Sequence, residues 1–296
     1  MLTPIRARRP LLLSVGLTLG LLLAVALAGT AVYLLHLPLP TPVPLAFVPI
    51  ALALAIWARR SHQWTELGYR RPRPGRSAMI GGGTIVLVLA ITAWNIGSWH
   101  WDTVPGWLAF TVLVAFVEET FFRGIVRRML LPYGWTPAWI LSSVVFGLGH
   151  AINLIAGYQS AFTTLIQVCF ALAWGLFAAA VYADTGSIWP VFVFHALFDA
   201  IQLAGVNQTS TPVDITTLAV LASAAILIGI RGAGNSAVTS PHGVSGRDLS
   251  VGAVQGWVNG DRSVSRACGH RSPPPLVSSQ DTGRNHTGKS HAASTV

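Results

Sequence analysis

A chain of 296 residues with 52% hydrophobic and only 10% charged residues and a mean hydropathy of +0.58 is not an ordinary soluble domain, where about a quarter of residues are charged. Its net charge of +9 sits on arginines that flank apolar runs, a distribution that suits anionic lipid headgroups and argues against nucleic acid as a partner. Cys169 and Cys268 are too few for a disulfide framework or a cysteine metal site.

Eight apolar runs long enough to cross a hydrocarbon layer of about 30 Å follow one another at 10–36, 39–58, 77–98, 106–127, 137–156, 160–183, 188–205 and 213–230. The first exceeds a signal peptide's apolar region, although Ala26-Leu27-Ala28 resembles a cleavage site, so it reads as a retained anchor. The second carries Pro40, Pro42, Pro44 and Pro49 and rests partly on charge. Positive residues beside membrane spans stay in the cytoplasm. Arg6, Arg8 and Arg9 precede the first run; Arg59, Arg60, Arg70, Arg71, Arg73 and Arg76 lie between the second and third. Arg127 and Arg128 follow the fourth, and Arg231 follows the eighth. The loops 37–38, 99–105, 157–159 and 206–212 contain no Lys or Arg. Eight spans with both termini cytoplasmic satisfy every cluster, whereas omitting the second would place 59–76 outside. Trp57, Trp94, Trp99, Trp101, Trp107, Trp135, Trp139 and Trp189 fall near span ends as interfacial anchors. From 232 onward Gly, Ser, Pro, Thr and Arg prevail, a composition that cannot bury a core. His242, His270, His286 and His291 lack ligand spacing there. The expected architecture is all-α, a polytopic membrane bundle of about eight transmembrane helices with a disordered polar tail. It divides into a two-helix segment with a basic loop (1–76), a catalytic membrane domain (77–231) and the tail (232–296).

Ionisable groups inside a span each cost about 2.5–3.5 kcal/mol on insertion scales, so those that remain need a reason. They are Glu118, Glu119 and Arg123 in the fourth run, His150 in the fifth, and His195 and Asp199 in the seventh. Residues four apart share a helix face, which pairs Glu119 with Arg123 as support and leaves the Glu118 carboxylate uncommitted. The same spacing sets Phe146 beneath His150 and His195 on one face with Asp199. At about 1.5 Å per residue, Glu118 lies roughly 14 Å from Arg127 and His150 roughly 20 Å from Pro137. By the same rise, His195 and Asp199 lie roughly 9 and 15 Å from Trp189. Packing of the three helices would bring all four groups into one polar cavity. In such a cavity Glu118 can serve as a general base on water, aided by His150, with His195 and Asp199 at a developing oxyanion or on a metal. Asp184 and Asp214 sit at span ends as interfacial or capping groups, and His36, His62 and His100 lie outside the cluster.

Glu-Glu-x-x-x-Arg at 118–123, Phe-x-x-x-His at 146–150 and His-x-x-x-Asp at 195–199, in this order and on separate apolar runs, resemble the motif set of the CPBP family, the CAAX protease and bacteriocin-processing enzymes. The family includes the type II CAAX prenyl endopeptidases. The resemblance covers 106–205, and Leu67-Gly68-Tyr69-Arg70-Arg71-Pro72 is similar to a segment that often precedes the family's core. It implies an intramembrane endopeptidase in which Glu118 activates water, His150 assists and His195 serves the oxyanion. At 199 many relatives have Asn, and an aspartate there favours the ligand role more than an asparagine would. His150, His195, Asp199 and Glu118 could together bind a divalent metal such as zinc; a mechanism without cofactor is the alternative, and both stay open. No H-E-x-x-H is present.

The expected partners are the bilayer and a peptide or protein substrate at or within it. The Lys-poor, Ala-, Val-, Gly- and Arg-rich composition suits a bacterial plasma membrane, where a leader peptide or membrane-associated protein is a more natural target than a prenylated C-terminus. Two other functions share the same residues: a proton-coupled or ion transporter, and a non-catalytic immunity or scaffold protein.

Overall fold

The computed structural model describes residues 9–34, 42–155, 157, 159–207 and 209–238, all within one compact unit, Met1–Ser240. The fold is all-α. Among the described residues eight long helices stand where the eight apolar runs lie: α1 (Pro10–Leu34), α2 (Pro42–Arg60), α3 (Arg76–Ile96), α4 (Val104–Glu119), α6 (Trp135–Gly149), α8 (Ala161–Thr185), α9 (Trp189–Ala204) and α10 (Thr211–Val238). The short α5 (Arg127–Leu130) extends the line of α4, and the single turn α7 (Ile152–Ile155) follows α6. A helix satisfies its own backbone groups, which is why apolar runs in a bilayer take this form.

Among the described residues five segments are long and apolar enough to cross a membrane: Pro10–Leu27, Arg76–Ile96, Trp135–Ile155, Ala161–Thr185 and Thr211–Arg231. They mark the chain as an integral membrane protein. The apolar α9 is shorter, and α4 has 16 residues. Leucines of α1 such as Leu12, Leu19 and Leu23, with Val86, Leu165 and Ile226, present exposed apolar side chains, the surface that lipid tails cover.

The termini of the helices follow local chemistry. Ser160 caps α8 by accepting the Thr163 N–H, and Gly186 ends it in the left-handed conformation. Pro190 stands in the first turn of α9, where its missing N–H is not needed. Two sets of contacts define the ends of the bundle. At one end, Trp99 bridges Gly205 and the Ser210 N–H bonds Asn95 Oδ1, gathering the C-termini of α3 and α9 with the N-termini of α4 and α10. At the other, the loop 61–75 meets the α8–α9 turn: Arg73 N–H donates to Thr185 O and Ile188 N–H to Gly68 O.

The core is centred on α8, whose Trp174, Phe177, Val181 and Tyr182 pack with Phe122, Phe146, Phe194 and Leu221. Trp139 Nε1 donates to Leu176 O, tying α6 to α8.

Three expectations are refined. α2 begins at Pro42 and holds Pro49 inside it. α10 continues through Val238, so the first residues of the expected tail are helical; the expectations for 239–296 and for His36 fall outside the described residues. Arg127 and Arg128, expected to face headgroups, are buried. Arg127 lies over the Tyr182 ring at 5.6 Å. Arg128 reaches Gln63 Oε1 at 3.1 Å and Glu66 Oε2 at 3.7 Å.

Candidate active site

α4 descends into the bundle and delivers Glu118 and Glu119 in its last turn. The chain then changes to a π-helical stretch, Thr120–Val126, in which the Arg127 N–H bonds Phe122 O, five residues back. Such stretches are rare and concentrate at functional sites. Nothing in the spacing of apolar residues announces this one.

Glu119 and Arg123 pair as their spacing predicts. Arg123 Nε stands 3.1 Å from Glu119 Oε2, with both side chains sealed from solvent. The guanidinium lies over the Phe146 ring at 4.2 Å, a cation–π contact that strengthens when desolvated. Glu119 does more than support Arg123, however. Its other oxygen, Oε1, is 2.8 Å from His195 Nδ1. A carboxylate only accepts, so Nδ1 carries the proton and the imidazole orientation is fixed.

The other ring nitrogen, Nε2, then faces 3.3 Å to Asp199 Oδ2 and 3.8 Å to Glu118 Oε2. The shared face of His195 and Asp199 is thus as expected, and Glu118 is the carboxylate without a close partner. Trp174 packs edge-on to His195 with ring centroids 5.2 Å apart. Its indole N–H is buried without a hydrogen bond of good geometry, close enough to the Glu119 carboxylate to interact with its charge.

His150 sits at the C-cap of α6. Its Nδ1 is 3.1 Å from Phe146 O, and its ring meets the Phe146 ring at 5.0 Å. No hydrogen bond or ion pair joins it to Glu118, but both line one cavity of about 500 Å³ together with His195 and Asp199. Phe47, Phe110, Phe170 and Phe198 supply apolar wall, while Gln159, Thr163, Gln202, Thr209 and Asp214 form a polar rim. Asp214, expected to be a mere helix-end group, accepts from Thr209 at 2.6 Å and belongs to that rim. A smaller hollow of about 180 Å³ reaches Glu118 and His150 from the side of α1, past Leu21, Leu22 and Val25.

The Leu67-Gly68-Tyr69 segment reaches the site from behind. Tyr69 Oη and Thr120 Oγ1 are 2.5 Å apart, so a loop tyrosine pins the first residue of the π stretch beside Glu119. Gly124 permits this approach, because a Cβ there would stand 2.8 Å from Leu67 Cδ2. Burial pushes the Tyr69 phenol pKa up.

A metal at Glu118, His150, His195 and Asp199 was one expectation. Among the described residues no group of three or more His, Cys, Asp or Glu side chains forms a metal-holding set. Both ring nitrogens of His195 already face carboxylates. As arranged, these residues do not fit a metal ion.

Sequence spacing missed three participants: the second bond of Glu119, Trp174 and Tyr69. A tryptophan in mid-span was the available signal for one of them, since its N–H needs a partner in hydrocarbon.

Neither the curated proteins nor the solved structures contain a match to the chain. A family profile does match, over residues 99–201, close to the expected 106–205, and its description is Type II CAAX prenyl endopeptidase Rce1-like. The matched segment carries Glu118, Glu119, Arg123, Phe146, His150, His195 and Asp199, and it is a domain of the Rce1-like type II CAAX prenyl endopeptidase family, a family of proteases.

Proposed function

We propose that this chain is an intramembrane endopeptidase that hydrolyses a peptide bond in a membrane-associated substrate, with Glu118 as the base that activates water. The observation that carries the reading is the buried bond between Glu119 Oε1 and His195 Nδ1. It turns Nε2 of His195 toward Glu118 and Asp199 at the floor of a cavity large enough for a peptide segment.

Glu118 lies in the cavity wall, paired only loosely with His195 Nε2 at 3.8 Å, so its carboxylate is free to take a proton from water. His150 shares the wall and orients that water. Attack on the scissile carbonyl creates an oxyanion, and His195, with Nε2 toward the cavity, is the donor that meets it. Asp199 works through His195, accepting from the same Nε2 before attack and yielding that donor to the oxyanion as it forms. Glu118 then returns its proton to the leaving amine. Glu119 and Arg123 fix the His195 ring and the helix junction from outside the cavity, while Phe146 packs under Arg123 and also lines the cavity wall.

The test compares Glu118→Gln with the native protein in the same membranes. The variant folds and inserts, and peptides found cut in native membranes accumulate uncut, with activity reduced at least about 100-fold, the scale of a lost general base. Substantial remaining cleavage would sink the reading.

A further inference from the structure

The cavity has a direction. Its lining begins at Glu118 and His195 in mid-bundle and ends at Gln159, Thr163, Thr209 and Asp214, residues at the N-termini of α8 and α10 or in the segments before them. Every one of these rim groups lies at the end of the bundle where Trp99 bridges Gly205. No lining residue comes from the loop 61–75 or from the α8–α9 turn.

The two ends differ in charge. Segments 97–103, 157–160 and 205–210 contain no Lys or Arg and include Asp102. The opposite end holds Arg59, Arg60 and the arginines of 70–76. There Arg73, Arg76 and Arg231, from three different elements, surround a hollow of about 530 Å³ with Asp184, and none of their side chains has a hydrogen bond or ion pair to the described protein. Guanidiniums left open in that way suit the anionic headgroups of the cytoplasmic leaflet, and basic loops stay on that side.

We infer that the cavity opens on the face of the membrane away from the cytoplasm and receives its peptide from there. The site's hydrophilic approach runs through the polar rim, and further in Phe170 and Phe198 stack at 5.2 Å to form an apolar shelf below it. The substrate class is therefore an extended stretch of a translocated or surface-anchored polypeptide, polar where it crosses the interface and apolar beside the cut bond. That last statement rests on the protease reading; the direction of the opening does not.

Single cysteines test both parts. In a background of Cys169→Ala and Cys268→Ala, Thr163→Cys marks the rim and Arg73→Cys the basic end, and the probe is a membrane-impermeant maleimide. Thr163→Cys labels in intact spheroplasts, whereas Arg73→Cys labels only in inverted vesicles. Labelling of Thr163→Cys only in inverted vesicles, from both sides alike, or only after denaturation overturns the inference. A bulky maleimide applied to intact spheroplasts of Thr163→Cys then reproduces the uncut peptides that accumulate with Glu118→Gln; outside labelling with undiminished cleavage refutes delivery through this opening. Labelling needs no catalysis, so failure of the protease reading would show in Glu118→Gln alone and leave sidedness readable.

Discussion

Glu119 and His195, separated by 76 positions in sequence, meet at 2.8 Å in a part of the bundle sealed from solvent. The same carboxylate holds Arg123 on its other oxygen. One buried anion thus organises a cation and the imidazole that faces the cavity, and its removal disturbs stability and chemistry together.

Glu119→Leu leaves the Arg123 guanidinium buried beside apolar groups, a situation that costs about 3–5 kcal/mol. Arg123→Met leaves Glu119 with His195 alone. The double variant is expected to recover much of the stability lost by either single change, because paired removal leaves no uncompensated charge. It does not recover cleavage, since His195 is no longer oriented. Denaturant unfolding in detergent, set beside peptide cleavage, separates the two effects.

Asp199 contributes through its oxygen toward His195 Nε2 at 3.3 Å, so the shape and polarity of its side chain matter more than its charge. Asp199→Asn keeps an oxygen at that place and retains cleavage within about tenfold of the native level. Asp199→Leu removes it and lowers cleavage by about 100-fold or more, the range of a lost acid–base partner. If Asn and Leu behave alike, Asp199 has no role through His195.

Much of this site was legible because the bilayer makes polar residues conspicuous. Glu118, His150, His195 and Asp199 stood out against apolar runs, and helical spacing paired Glu119 with Arg123 and His195 with Asp199. Both pairings hold, and all four outstanding groups line one cavity. The eight runs also became eight long helices among the described residues, although α4 gives way to the π stretch after Glu119, α6 ends at Gly149 and α10 continues to Val238. The second bond of Glu119 was not legible, since periodicity ranks neighbours along one helix and says nothing of the partner across the bundle. The π stretch was hidden for a different reason. It changes the backbone bonding of Thr120–Val126 without altering the apolar composition that spacing arguments read. Arg127 and Arg128 misled because a basic pair after an apolar run looks alike whether it meets lipid or, as here, lies under the loop 61–75 and against Tyr182.

Tyr69 gives a pH dependence outside the membrane-spanning segments. Burial raises its phenol pKa above the ordinary 10.0, so above that value the unfolded chain loses a proton that the folded protein keeps. Its contribution to stability is complete below pH about 10 and declines as pH rises further. Tyr69→Phe lowers stability at neutral pH by about 1 kcal/mol through loss of the Thr120 bond and flattens the alkaline decline. Melting curves of both proteins over a series from neutral to strongly alkaline buffer check the two parts; an unchanged alkaline slope in the variant refutes the assignment.

Two glycines of this region should respond differently to the same methyl group. At Gly124 the added Cβ meets Leu67 Cδ2 at 2.8 Å, the far end of a side chain that can change rotamer. At Gly68 it meets the Tyr182 ring at 2.3 Å, where the ring is fully buried and donates from its hydroxyl to Leu67 O. The backbone there also has φ +96°, which alanine adopts only under strain. Gly124→Ala therefore costs about 1–3 kcal/mol as ordinary overpacking and is partly relieved by Leu67→Val in the same chain, a pair that conserves volume. Gly68→Ala costs more and has no such relief, because it must move the loop itself and with it the Tyr69 contact to Thr120. Its cleavage activity falls alongside stability, whereas the Gly124→Ala, Leu67→Val pair keeps most of both. Unfolding midpoints and cleavage rates for the three variants, measured in one detergent, decide whether the loop positions the junction beside Glu119 or merely covers it.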